Sequence, residues 1–273
     1  MKPITFITLT AGLLLFVTGC KNQQKIPQAG MGYGQPTTTA TTPSTTPAQT
    51  TATQATKPKL PPIKPITASE LMPAQNQKGE YRTEEGKNNG KTFPFTYEKT
   101  PKGYILTING LRRVYYEWNS NHDLILKRDD DFQENVRVVY NPGLTILPAN
   151  IDKNEPNVSS TSQVNVYNLT NGHRRAFGKV SNRLSAIWQS QVSLDSQKVG
   201  VYIVREERAL DLDMAMVKVT LDTAYAPTHG EVLQMEWRTQ KALNLFIENS
   251  KYKMILATPL PEPQPSQPLT PSP

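Results

Sequence analysis

The sequence predicts an antiparallel all-β domain, on three observations. Side chains alternate with period two through most of residues 91–257, as where Val114, Tyr116 and Trp118 oppose Arg113, Tyr115 and Glu117. Clusters of turn residues, Asn119–Asp123 and Asn141-Pro142-Gly143 among them, separate the runs. No long helical stripe and no internal repeat interrupts the pattern. Runs and turns at this spacing amount to about nine to twelve strands.

The chain opens with Met1-Lys2 and an apolar run from Ile4 to Val17. That run is shorter than the roughly 20 residues of a membrane-spanning helix, and it has the shape of an export signal. It ends Val17-Thr18-Gly19-Cys20, around the sole cysteine of the sequence. This motif resembles the bacterial lipobox, with an aliphatic residue, two small residues, then Cys. The resemblance implies a signal over residues 1–20 that is cut just before the cysteine, a diacylglycerol on the Cys20 sulfur, and two or three acyl chains in the bilayer. Stable anchoring takes more than one chain. Lys21 stands where Gram-negative lipoproteins retained at the inner membrane tend to carry Asp. The resemblance therefore implies a cell-envelope address, the outer membrane over the inner if the cell is Gram-negative. With no other cysteine, the domain has no thiol to oxidise outside the cytoplasm.

Residues 21–79 contain neither Trp nor Phe and are rich in Thr, Pro, Gln and Ala, with a low-complexity stretch at 36–56 and KPKLPPIKPI at 57–66. Such a segment cannot bury enough apolar surface to offset the entropy of ordering it, and reads as a disordered tether reaching about 40 Å as a coil. Residues 258–273 read as a disordered Pro-rich tail for the same reason. The folded domain is then 80–257. Within the tether, Thr67-Ala68-Ser69-Glu70 has the pattern of a helix capping box, and Pro73 stops anything beyond a turn or two.

The strands follow in order. Tyr104–Ile108 precedes a turn at Gly110; Val114–Trp118, Leu124–Lys127 and Val136–Tyr140 come next. Residues 148–162 look like a long loop. Val164–Leu169, Arg175–Val180, Ala186–Leu194 and Val199–Arg205 continue the series. Val217, Val219 and Leu221 alternate with Lys218, Thr220 and Asp222, and Leu233, Met235 and Trp237 share a face. Leu243–Ile247 and Tyr252–Leu256 complete it.

Composition and motifs offer little chemistry. Residues 78–257 carry 24 bases and 21 acids, too even a balance to point to nucleic acid. The doublets Arg112-Arg113 and Arg174-Arg175 read as solvated strand ends. Gly86–Thr92 has one residue too few between its glycines for a phosphate loop and reads as a polar hairpin turn. Asp129-Asp130-Asp131 lacks the turn glycine of a calcium loop and reads as a charged turn. His122, His173 and His229 sit in turns, none spaced with another for zinc. No G-x-S-x-G nucleophile elbow occurs, and two glycosylation-type sequons at Asn157 and Asn168 read as chance. The expectation is no enzyme, no metal and no cofactor.

Three stretches carry a further likeness. They are Tyr140–Leu144 followed by Leu147-Pro148, Val192–Arg205 with Gly200, and Tyr225-Ala226-Pro227-Thr228-His229-Gly230-Glu231-Val232. Together, over about residues 135–257, they resemble an uncharacterised family of bacterial envelope proteins related to lipoprotein-carrier-like β-sheets. The resemblance implies a curved antiparallel sheet with a hydrophobic concave face. An antiparallel sheet with one apolar face must pack on a second sheet, close into a barrel, or curve around a guest. The expected fold is a strongly curved sheet, a partly open barrel or sandwich. The expected role is a non-enzymatic binding domain for a hydrophobic or amphipathic ligand, lined by Val114, Tyr116, Trp118, Leu233, Met235 and Trp237. The alternative is a structural or assembly lipoprotein that binds an envelope protein and no small molecule.

Overall fold

The computed structural model describes residues 60–260 apart from 196 and 243–245. The export signal, Cys20, residues 21–59 of the tether and residues 261–273 of the tail lie outside the described residues.

The described chain begins with β1 (Ile66–Thr67) and α1 (Ala68–Leu71). Six strands follow: β2 (Gln77–Glu85), β3 (Thr92–Thr100), β4 (Gly103–Ile108), β5 (Arg112–Trp118), β6 (Leu124–Asp131) and β7 (Val136–Leu147). After the short β8 (Asn150–Ile151) come β9 (Val158–Asn168), β10 (Arg174–Leu194), β11 (Gln197–Leu212), β12 (Ala215–Ala226), β13 (Gly230–Ala242) and β14 (Phe246–Leu256). Each long strand pairs antiparallel with the next, β7 passing over β8 to β9, and β14 returns to β2. The result is a closed barrel of twelve strands. The all-β antiparallel expectation is met, and the barrel is closed where the sequence suggested a partly open one. Closure gives every barrel strand a neighbour on both sides, which reduces the exposed strand edge that invites aggregation.

Register irregularities at Leu126/Arg128 in β6, Leu184/Ala186 in β10 and Ala224/Tyr225 in β12 break the ladders locally. Such bulges add curvature. At Gly178 in β10 a Cβ would sit 2.0 Å from the Asp211 carbonyl oxygen, so only glycine lets β10 approach β11 there.

The described body already includes residues well before the expected boundary at residue 80. Ile63, Ala68, Leu71 and Met72 are buried. Their sequence separation among prolines hid them from a periodicity reading. The capping box is present in full: Thr67 Oγ1 accepts from the Glu70 N–H at 3.3 Å, and the Thr67 N–H donates to Glu70 Oε2 at 2.8 Å. One turn of helix follows, as Pro73 dictates. β1 pairs with β8, the Ala68 N–H donates to the Ala149 carbonyl, and the Thr228 N–H donates to the Glu70 carbonyl. The helix thus bridges from the β7–β9 connection to the β12–β13 turn, and Leu71 and Met72 close this end of the barrel. Thr67→Ala should lower stability by about 1 kcal/mol, as cap removal does elsewhere, measured as a shift in the urea midpoint. An unchanged midpoint would mean that tertiary contacts alone set α1.

Four local expectations change. Asp129–Asp131 is strand, not turn. Arg112 is buried, not solvated. Asn141-Pro142-Gly143 lies inside β7, where it forms an irregularity rather than a strand-to-strand turn. The long loop over 148–162 ends early, because β9 starts at Val158. The polar hairpin at residues 86–91 and the turn at Asn119–Asp123 stand as read. Of Leu243–Ile247, residues 243–245 fall outside the described residues.

Candidate functional site

Successive residues of a strand point to opposite faces of the sheet. In β11, Val204, Glu206, Arg208 and Leu210 are buried, whereas Glu207, Ala209 and Asp211 are exposed. In β13, Gln234, Glu236, Arg238 and Gln240 are buried, whereas Trp237, Thr239 and Lys241 are exposed. The inward set therefore carries much of the charge. Asp129 and Asp131 point inward from β6, and Asp130 between them points outward to Arg128 and Arg137.

Three ion pairs lie in the buried interior, one between the neighbouring strands β5 and β6 and two within a single strand. Arg112 Nη2 donates to Asp129 Oδ2 at 2.9 Å, Arg208 Nη2 to Glu206 Oε2 at 2.7 Å, and Arg238 Nη2 to Glu236 Oε1 at 2.8 Å. Arg112 also reaches Gln234 Oε1 at 3.3 Å, and Asn182 Nδ2 donates to Glu206 at 3.2 Å. Burial works against the charge on Arg112, and Asp129, Tyr116, Glu231 and Tyr252 together outweigh that cost, so its pKa is raised. Two buried carboxyls, Asp131 and Glu231, form none of these pairs. Burial pushes each up to about 7, and the fields of Arg112 and its neighbours only partly offset this. Asp131 Oδ1 accepts the Glu134 N–H at 2.9 Å, while its Oδ2 has no hydrogen-bond partner.

Large side chains fill the remaining space. Tyr81 and Phe95 stack with centroids 4.4 Å apart, and the Tyr81 hydroxyl donates to the Glu231 carbonyl at 2.6 Å. Tyr97, Tyr116, Tyr140 and Tyr225 are also buried. A pocket at the centre, bordered by Arg112, Tyr116, Glu206, Arg208, Glu231 and Gln234, has a volume of about 10 Å³. That is room for about one water molecule. This central pocket has no room for an acyl chain, and desolvated charge surrounds it.

The six candidate lining residues do not share one chamber. Val114 and Tyr116 point into the filled interior, and Trp118 is partly buried with its ring edge-on to Tyr104 at 6.0 Å. Leu233, Met235 and Trp237 lie on the outward face of β13, opposite to the buried Gln234, Glu236 and Arg238. Leu233 is buried there, Met235 is partly buried, and Trp237 is exposed with the Lys251 ammonium 6.0 Å from its ring.

The roomier features are on the outside. A groove of about 620 Å³ crosses β9–β12, lined by Thr161, Ser181 and Ala209 with Lys179, Met216 and Lys218. A second of about 450 Å³ runs past Trp237 and shares Lys218. Small outward side chains make these depressions, and sequence reasoning missed them because small residues carry no periodic signal. Exposed Lys179, Arg183 and Lys218 mark the middle of the outer wall as water-facing, unlike the apolar band of a bilayer-spanning barrel. Among the described residues no helix is long and apolar enough to cross a membrane, and no group of three or more metal-ligating side chains converges.

No protein-family model matches the chain, and no curated protein matches it. Among solved structures it is similar to that of a lipoprotein candidate from Parabacteroides distasonis, at 11% identity over 69% of this chain and 97% of the other, with a TM-score of 0.33. At that score neither fold informs the other.

Proposed function

We propose that the chain is a lipid-anchored protein of the bacterial cell envelope whose barrel is a non-enzymatic binding or assembly module that works from its outer surface. The observation that carries this reading is the filled interior, with a central pocket of about 10 Å³. A carrier needs a chamber for its guest, as small-molecule sites of a few hundred Å³ show. This barrel spends its interior on ion pairs and tyrosines instead. The perturbed carboxyls Asp131 and Glu231 are shut away from any substrate. Surface recognition of an envelope partner, without a small molecule, is what the architecture favours. The lipobox at Val17–Cys20 supplies the address, and Lys21 favours the outer membrane where there is one.

The test is acylation. Cells fed an alkyne fatty acid should label the wild-type chain, and Cys20→Ser should abolish labelling and either release the chain from the membrane fraction or leave it as precursor. Equal labelling of both would overturn the anchored reading.

A further inference from the structure

We infer that the barrel end opposite α1 is a second membrane contact, which rests on the bilayer while Cys20 holds the chain to it; this rests on the lipid-anchored reading above. Exposed apolar residues are unevenly placed. Among the described residues, seven large hydrophobic side chains are exposed. Five of them, Phe132, Phe177, Met214, Met216 and Ile247, lie in or within four residues of the turns at this one end. Phe177, Met216 and Ile247 are 50%, 49% and 69% exposed. Scattered single apolar residues need no explanation, but a rim of them at one end of a barrel does.

The surrounding charge fits an anionic lipid surface. Exposed bases at the same end are Lys87, Lys91, Arg113, Arg174 and Lys241. Arg113 sits 5.9 Å from the Phe132 ring and Arg174 4.9 Å from the Phe177 ring. Of the acids there, Glu134 is buried and pairs with Lys87 at 3.1 Å, Glu84 and Glu85 pair with Lys253 and Lys251, Glu248 is half-buried, and Asp211 and Asp213 are exposed, so exposed bases outnumber exposed acids. Aromatic and sulfur-bearing tips ringed by Arg and Lys are the composition of an interfacial membrane contact. The outer wall away from this rim is charged and polar, so the contact is confined to the end and does not span.

The chain's reach allows it. Between Cys20 and Leu60 lie 39 residues. Fully extended, that length spans up to about 130 Å. A twelve-residue strand such as β12, tilted as barrel strands are, rises about 30 Å. The tether joins the barrel at the α1 end, and it is long enough to pass the barrel's full height and let the far end meet the bilayer.

The test uses the chain from Lys21 onward, which keeps every described element and carries no acyl group or signal. It should co-sediment with phosphatidylethanolamine–phosphatidylglycerol vesicles and bind phosphatidylcholine vesicles less. Phe177→Ser with Met214→Ser and Met216→Ser should lower partitioning more than tenfold, while Leu60→Ser at the other end leaves it unchanged. Phe177→Trp, which preserves bulk, should keep binding and shift its fluorescence to the blue on vesicles. Absence of vesicle binding, a triple variant that binds like its parent, or an end that captures an envelope protein and no vesicle would overturn the inference. Because acylation is absent from this assay, its failure leaves the Cys20 reading standing, and a failure of acylation leaves this result readable.

Discussion

Replacing Arg112 with Met should destabilise the barrel by about 3–5 kcal/mol, the cost of removing one member of a buried ion pair. Asp129 would be left 1% exposed with no cation, and its Oδ1 already lacks a hydrogen-bond partner. Gln234 would lose its donor as well. The loss appears as a lower urea midpoint with an unchanged slope. The neighbouring Arg113→Met removes an outward base that touches Thr107 and Phe132, and should cost under about 1 kcal/mol. Combining Arg112→Met with Asp129→Leu should recover most of the loss, because an apolar pair needs no compensation. Equal costs for Arg112 and Arg113 would mean that the doublet is solvated after all.

The barrel should also lose stability as pH rises from about 4.5 to above 7, and Glu231→Gln should flatten much of that slope. Three buried guanidiniums, on Arg112, Arg208 and Arg238, face five buried carboxyls, on Asp129, Asp131, Glu206, Glu231 and Glu236. The two without a guanidinium partner are held near 7, chiefly by burial. Glu231 feels Arg112 and Arg208 in its favour, and Glu206 and Asp129 against it. A carboxyl whose folded pKa lies above its unfolded value is protonated in the fold where it is ionised in the unfolded chain. Its contribution is therefore fully present below the unfolded pKa and is lost as pH climbs through the folded one. For Glu231, a rise from 4.5 to about 7 corresponds to about 3 kcal/mol between pH 4 and pH 8. Asp131 adds a slope of the same sign. Glu231→Gln is neutral at every pH, so it should match wild type near pH 4 and exceed it by about 3 kcal/mol at pH 8. Denaturation midpoints across this range decide it; a wild-type stability that rises from pH 5 to pH 8 would contradict the assignment.

The fold was more legible than the site, for reasons visible in particular residues. Thr67, Glu70 and Pro73 specify one capped turn through local chemistry, and the sequence reads them correctly. The same holds for the turn at Asn119–Asp123. Alternation in β5 and β12 is likewise local. What alternation cannot reveal is which face looks inward when the interior is charged. In β13 the apolar set Leu233, Met235 and Trp237 looks like the lining of a chamber, yet Gln234, Glu236, Arg238 and Gln240 are the inward residues. Gln234 finds Arg112 across 122 residues, a partner no local reading can see. Asp129–Asp131 misleads for a related reason. Three consecutive carboxylates resemble a turn until Arg112 inside and Arg128 and Arg137 outside are in place, and the bulge at Leu126/Arg128 sets which of the three face inward. Depressions made by Ser181 and Ala209, and a rim gathered from five separate elements, exist only once the barrel closes.

The most direct measurement of the central claim is native mass spectrometry of the chain from Lys21 onward, isolated from a bacterial cell without detergent. With a central pocket of about 10 Å³, the barrel should fly at the mass of the polypeptide alone. A one-to-one complex with an acyl-bearing molecule, persisting under gentle ionisation and released only on unfolding, would contradict the account and restore a carrier.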